Sequence, residues 1–135
     1  MADRFEVTVG AGSLMSATAE AVRFPHRWTE AGVTVEASFT GGHLFHLAAA
    51  GCVLNDLYRE AATLGLEVHG IRVIAAGGFD TATWQSTGID YSVQVDADAP
   101  ADQIARLLTT VDQVAEIPRA IRAGTTVSRV SGLAR

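Results

Sequence analysis

Hydrophobic and polar residues alternate in the first part of the chain, as they do in half-buried β-strands. The alternation is clearest at residues 5–9 and 33–39, which predict two strands. Two further segments, at residues 17–23 and 26–29, are interpreted as completing an N-terminal meander. The first part of the sequence is therefore predicted to form short strands.

A helical pattern replaces this alternation after Thr40-Gly41-Gly42. Apolar residues then recur at the spacing of a helix face, which predicts one long helix over residues 43–64. Gly65 suits the end of this helix because glycine adopts the left-handed conformation without strain. The first half of the helix is apolar almost all round, which indicates that it is packed on several sides.

The pattern after this helix predicts two more strands. Residues 68–74 and 89–95 have the composition of strands, and a Gly77-Gly78 turn and a polar stretch at residues 84–88 connect them. No phosphate-binding loop is expected at the two glycines, because no GxxxxGK pattern surrounds them.

A second helix and a final strand complete the prediction. Asp98-Ala99-Pro100 favours a helix start, since proline suits the first turn and aspartate complements the helix N-terminus. Pro118 interrupts the helical pattern, so that a short helical turn to Arg122 and a last strand at residues 125–130 follow. The predicted fold class is α+β, with antiparallel sheet segments and a long central helix.

Composition and charge narrow the classes of function. The chain has 135 residues, of which 48% are hydrophobic and 19% charged, so a single folded domain spanning residues 1–135 is expected. The formal net charge is −5 and the basic residues are scattered, which argues against a nucleic acid partner. No secretion signal is recognised, and the longest apolar stretch, residues 44–54, is too short to cross a membrane. We expect a cytoplasmic protein without a membrane partner.

Cys52 is the single cysteine, which excludes an internal disulfide and a thiolate metal cluster within one chain. His43 and His46, three residues apart, could bind a metal together with His26 or His69. No matching carboxylate pattern supports such a site. We therefore expect neither a metal nor a cofactor.

Several motifs together resemble one known family. The run Leu44-Phe-His-Leu-Ala-Ala-Ala-Gly-Cys52, the helix exit at residues 64–73 and the second helix at residues 98–108 are similar to those of the OsmC/Ohr family, named for osmotically induced protein C and organic hydroperoxide resistance. The similarity extends over about residues 41–127. It implies an OsmC-like fold and an intertwined homodimer with its sites at the subunit interface.

The resemblance also implies a chemistry that this chain cannot carry out in full. In the family, the helix cysteine attacks an organic hydroperoxide and a second cysteine resolves the sulfenic acid as a disulfide. Ile117 stands at the position of that second cysteine, and Gly42, ten residues before Cys52, stands at the position of a family glutamate. The peroxide-polarising arginine of the family would be Arg23 or Arg27.

Two functions remain open at this stage. In the first, the chain is a one-cysteine thiol peroxidase of the hydroperoxide-stress lineage, in which Cys52 reacts and an external thiol reduces it. In the second, it is a non-redox binding protein or enzyme whose interface pocket, lined by His43, His46, Trp28 and Cys52, holds a small apolar molecule. Asp56 is a further pocket candidate, and its negative charge disfavours the Cys52 thiolate.

Overall fold

The strands form one antiparallel sheet in the computed structural model, which describes residues 4–132. They are β1 Phe5–Gly12, β2 Val22–Phe24, β3 Val33–Glu36, β4 Glu67–Phe79 and β5 Ser86–Asp98. Their order in the sheet is β2-β3-β1-β4-β5, and each neighbouring pair runs antiparallel. The short β2 and the long β5 therefore form the two edges of this sheet.

The long central helix, α1, spans Gly41–Leu64 and begins two residues earlier than predicted. Thr40 caps its start, since the threonine hydroxyl accepts a hydrogen bond of 3.1 Å from the backbone N–H of His43. Gly65 ends it in the left-handed conformation, with φ of 69°, as predicted. Helix α1 packs across β1 and β4, so its buried side chains and those of the sheet form the core.

Two shorter helices cover another side of α1. Helix α2 spans Ala101–Val114 and follows Pro100, which confirms the predicted start to within a few residues. Helix α3 spans Glu116–Ala123 and is longer than the predicted single turn. Pro118 fits within its first turn, where a missing backbone N–H removes no intrahelical hydrogen bond. Among the described residues, no helix is both long and apolar enough to cross a membrane.

The predicted Gly77-Gly78 turn is wrong, because both glycines lie inside β4. A side chain at Gly77 would place its Cβ 2.1 Å from the carbonyl oxygen of Gly88 and 2.6 Å from Nε2 of His46. Close packing, and not chain reversal, therefore requires glycine there. The chain reverses instead at residues 80–85.

Two other strand predictions also need correction. Of the predicted segments 17–23 and 26–29, only Val22 and Arg23 lie in a strand, as the first two residues of β2. The last predicted strand, at residues 125–130, is absent, and that stretch is irregular. Val127 there is 94% exposed and Val130 is 56% exposed, so neither valine is buried in the core.

Candidate functional site

Cys52 lies in the middle of α1 with its thiol between two carboxyl groups. Its Sγ is 3.9 Å from Oδ2 of Asp56 and 3.9 Å from Oε2 of Glu116. Asp56 follows one helical turn later on the same face, and Glu116 is brought in because α3 packs on α1. The thiol is partly buried. Cys52, Asp56, Arg59 and Glu116 are called the Cys52 cluster below.

The surroundings of the thiol disfavour its reactive form. Burial raises the pKa of Cys52 above its ordinary value, and the charges of Asp56 and Glu116 raise it further. Hydrogen bonds from the backbone at Ile117 and Glu116 act in the opposite direction but do not reverse the shift. Because the thiolate is the nucleophile, this environment lowers the reactivity of Cys52. The effect expected of Asp56 from the sequence is confirmed in direction.

The two carboxyl groups also influence each other. Burial, followed by the hydrogen bond with Glu116, raises the pKa of Asp56 to about 6. The same hydrogen bond lowers the pKa of Glu116. Arg59 lies over the pair, with guanidinium nitrogens 3.2 Å from Asp56 and 3.6 Å from Glu116. The nearby cation therefore stabilises the carboxylates, and Arg59 is not among the groups that shift the pKa of Cys52.

Two residues of the family are replaced in this chain, by Ile117 and Gly42, and the structure shows the surroundings of each. Ile117 lies beside the thiol, since its backbone N–H is close enough to lower the pKa of Cys52. An isoleucine cannot form the disulfide, and the full sequence holds no other cysteine. At Gly42, an added Cβ would lie 2.5–2.8 Å from ring atoms of Phe5. The Phe5 ring therefore takes the space in which a larger side chain at position 42 would begin.

Arg27 and Trp28 line a different cavity, here named the Trp28 pocket. It lies between α1 and the β2–β3 edge of the sheet and has a volume of about 350 Å³. The guanidinium carbon of Arg27 stacks 5.6 Å from the centroid of the Trp28 ring. Neither Cys52 nor Arg23 is among the lining residues, which are Val9, Phe24, Pro25, His26, Arg27, Trp28, Val33, Val35, Leu47, Gly51, Leu54 and Asn55. The geometry within one chain thus separates the predicted arginine from the predicted nucleophile.

A polar link attaches the outer wall of the Trp28 pocket to α1. Nε2 of His26 is 2.9 Å from Oδ1 of Asn55, and its Nδ1 is 2.7 Å from the hydroxyl of Thr29. This link holds the segment that carries Arg27 and Trp28 against the helix. The floor includes Gly51, and an added Cβ there would meet no heavy atom within 4 Å. The pocket is therefore open above Gly51.

The two histidines of α1, His43 and His46, belong neither to the Cys52 cluster nor to the Trp28 pocket. His43 belongs to the helix cap, with its Nδ1 2.6 Å from the hydroxyl of Thr40. His46 is fully buried between aromatic rings, and its Nδ1 donates to the carbonyl oxygen of Gly42 at 2.7 Å. In the described part of one chain, His43, His46, Trp28 and Cys52 do not line a common cavity, so that pocket stays a prediction about the assembled protein.

One set of donor atoms at the Cys52 cluster is close enough to surround a cation. One ligand atom from each of Cys52, Asp56 and Glu116 lies within 4.8 Å of the others. Arg59 already supplies positive charge to both carboxylates, which reduces the attraction for a metal ion. The expectation that the protein holds no metal remains a prediction.

Three functional candidates were missed from the sequence, Glu116, Gly51 and Asn55, and His26 was considered there only as a metal ligand. Glu116 directly precedes Ile117, so the position assigned to the missing cysteine could have indicated it. Gly51 directly precedes Cys52, and glycine is unfavourable inside a helix. No sequence pattern indicates the contact between His26 and Asn55, because it depends on how the segment folds over α1.

A long central helix that carries a lone cysteine and packs on an antiparallel sheet defines the class of protein. The family model for OsmC-like proteins matches residues 34–129, which is most of the chain. The chain therefore belongs to the OsmC family. This confirms the family and the fold predicted from the sequence.

A solved structure supports the same fold. The crystal structure of an OsmC-like hydroperoxide resistance protein from Jannaschia sp. CCS1 matches with a TM-score of 0.60 and 14% sequence identity, and 96% of each chain is covered. A likeness at this identity shows the fold alone. No curated protein matches the chain.

Proposed function

We propose that this OsmC-family chain binds a small, largely apolar molecule in the Trp28 pocket. A binding function of this kind needs no second cysteine. The pocket has apolar walls from the sheet and from α1, and its volume of about 350 Å³ lies in the range of small-molecule sites. The thiol, by contrast, is partly buried beside two carboxyl groups, and both its burial and their charges raise its pKa and so suppress its reactive form. The separation between the pocket and the thiol is the observation that supports a non-redox function.

Gly51 gives independent support to this proposal. A glycine inside a helix costs about 1 kcal/mol relative to alanine. Such a cost is usual where another backbone comes close, but an added Cβ at Gly51 would meet no heavy atom within 4 Å in the described structure. The absent side chain instead leaves the pocket open. We infer that Gly51 preserves space for a ligand.

The chain provides its own fluorescent reporter of binding. It has two tryptophans, Trp28 in the pocket and Trp84, which is 72% exposed near the β4–β5 turn. In a Trp84→Phe variant the tryptophan emission comes from Trp28 alone. Titration of this variant with 1-octanol, a neutral apolar probe, is expected to shift the emission of Trp28 to shorter wavelength in a saturable manner.

Two further substitutions in the Trp84→Phe background locate the binding. Gly51→Leu fills the pocket from its floor and is expected to abolish the response, while Cys52→Ser, at the next residue, keeps it. Thermal unfolding of each variant checks that the fold is intact. The proposal fails if folded protein gives no saturable response to 1-octanol, or if Gly51→Leu responds like its parent.

The second candidate is a one-cysteine thiol peroxidase, favoured by the location of Cys52. The thiol is partly accessible, and the backbone N–H groups of Ile117 and Glu116 lower its pKa and so favour a sulfur anion. In this reaction the Cys52 thiolate attacks the terminal oxygen of the hydroperoxide, and the O–O bond breaks to release an alcohol after protonation. Two external thiols then reduce the sulfenic acid, giving their disulfide and water.

Consumption of cumene hydroperoxide with excess small thiol tests the second candidate. Turnover that saturates and is lost in Cys52→Ser would establish it. Variants Arg23→Gln and Arg27→Gln then show whether either arginine assists, and Arg59→Gln does the same for the cation of the Cys52 cluster. Rates equal to the blank without protein would exclude the peroxidase reaction for this substrate.

We also propose that the protein is a homodimer. Large apolar side chains are exposed on the single chain, among them Phe39 at 90% and Trp84 at 72%. Burying such groups against a second copy would remove apolar surface from water. Sedimentation velocity is expected to give twice the mass of the 14.2 kDa chain, and a monomer at all concentrations would contradict the proposal.

A further inference from the structure

We infer that the ligand of the Trp28 pocket is a small amphipathic anion, a short-chain monocarboxylate whose carboxylate binds Arg27. This inference rests on the proposed binding function and assigns the class of ligand to the same pocket. Its hydrocarbon chain would lie along the apolar walls formed by α1 and the sheet. Its charge would stay at the mouth, beside Trp28.

The charge of the pocket carries the inference. Among residues 4–132, Arg27 is the only Asp, Glu, Lys or Arg side chain that lines the cavity. None of the ion pairs found within residues 4–132 involves Arg27. Arg27 is exposed to solvent and lines the mouth of this largely apolar cavity, in a chain whose formal net charge is −5. An anionic group bound at the mouth would complement this positive charge.

The guanidinium of Arg27 is already positioned for such a group. Its stacking on the Trp28 ring, 5.6 Å from the centroid, restricts the side chain before any ligand arrives. The planar fork of arginine offers paired donors that match the two oxygens of a carboxylate. Loss of side-chain freedom on binding is correspondingly small.

A second donor lies on the helix side of the pocket. Asn55 lines the cavity and uses its Oδ1 to contact Nε2 of His26 at 2.9 Å. In the described part of the chain, no acceptor is paired with the amide nitrogen of Asn55. That nitrogen can donate to a carboxylate oxygen, whereas it offers nothing to a hydrocarbon.

The size of the cavity sets the length of the ligand. A volume of about 350 Å³ is near the lower end of small-molecule pockets. The floor and walls are Val9, Val33, Val35, Leu47 and Leu54, without a charged side chain to interrupt them. A chain of several carbons fits this space, and a full lipid with two acyl chains does not.

The test compares octanoate with 1-octanol, which share the same hydrocarbon length. Both are titrated into the Trp84→Phe protein at neutral pH and low salt, where octanoate is ionised. Octanoate is expected to bind about tenfold more tightly, as charge-assisted hydrogen bonds of this kind allow. Arg27→Gln is expected to abolish the preference, so that octanoate and 1-octanol then bind with similar affinity.

Arg23→Gln is the matched control, because it removes the same charge from β2, outside the lining of the pocket. It is expected to leave the preference for octanoate intact. Equal binding of octanoate and 1-octanol, or an octanoate preference that survives Arg27→Gln, would overturn the carboxylate inference while the binding function stands. No saturable response to either probe would overturn both.

Discussion

Replacing Asp56 by asparagine is expected to make Cys52 more reactive. Asparagine keeps the shape of the side chain and removes its charge, which lies 3.9 Å from the sulfur. Two unit charges at this distance repel by about 1 kcal/mol at the dielectric constant of water and by about 4 kcal/mol at an effective value of ~20. Because the thiol is partly exposed, the lower figure is the appropriate one.

A change of about 1 kcal/mol corresponds to about a sixfold increase in the thiolate fraction at a fixed pH below the thiol pKa. The assay is the rate of Cys52 alkylation by iodoacetamide at pH 7.5, followed by intact-protein mass spectrometry. At this pH most Asp56 is ionised, since burial raises its pKa only to about 6. The rate in Asp56→Asn is therefore expected to rise severalfold.

Glu60→Gln is the matched control for that measurement. Glu60 also contacts Arg59, with oxygen and nitrogen 3.5 Å apart, but it has no hydrogen bond to the thiol in the described structure. It is expected to change the alkylation rate little. An unchanged rate in Asp56→Asn, or an equal increase in Glu60→Gln, would refute the electrostatic explanation of the suppressed thiol.

Three other predictions concern stability, each read from thermal or urea unfolding. Since burial raises the folded-state pKa of Asp56 to about 6, above its ordinary 3.8, Asp56 contributes stability at low pH that is lost as pH rises through 6. The free energy of unfolding of Asp56→Asn, relative to that of the unmodified protein, should therefore increase from pH 4 to pH 7. A decrease over this range would contradict the prediction. Gly51→Ala should stabilise the protein by up to about 1 kcal/mol, because an added Cβ there meets no heavy atom within 4 Å. Gly77→Ala should destabilise it by about 2 kcal/mol or more, because an added Cβ there overlaps neighbouring atoms. Similar effects of the two substitutions would contradict this difference in packing. Thr40→Ala should lower the free energy of unfolding by about 1 kcal/mol, because it removes the side-chain cap of α1. An unchanged unfolding midpoint would contradict a stabilising role of this cap.

Hydrophobic periodicity predicted the helices and strands that bury one face in the core. The α1 prediction holds at Leu64, where a left-handed glycine ends the helix, and is two residues late at the start, where Thr40 caps it. The prediction failed where periodicity and tertiary packing conflict. Gly77 was predicted to lie in a turn because it is a glycine. Gly88 and His46 instead lie so close to it that no side chain fits there. The stretch at residues 125–130 is rich in β-branched residues, as strands are, but it pairs with no strand among the described residues.

The Cys52 cluster and the Trp28 pocket were only partly predictable from the sequence, because both depend on contacts between residues far apart in the chain. Cys52 and Asp56 share a helix face, so their proximity follows from spacing alone. The approach of Glu116 requires α3 to pack on α1, and the separation of Arg27 from Cys52 depends on the path of the segment after β2. The cytoplasmic location and the absence of a nucleic acid partner stay predictions.

The most direct test of ligand binding in the Trp28 pocket is an NMR titration of the isotopically labelled protein with octanoate. The amide signals of Gly51 and Asn55 and the indole signal of Trp28 are expected to shift together and to saturate. The amide signals of Glu116 and Ile117, beside the thiol, should change little. Shifts centred on those two residues, or no saturable shift at all, would contradict the proposed site.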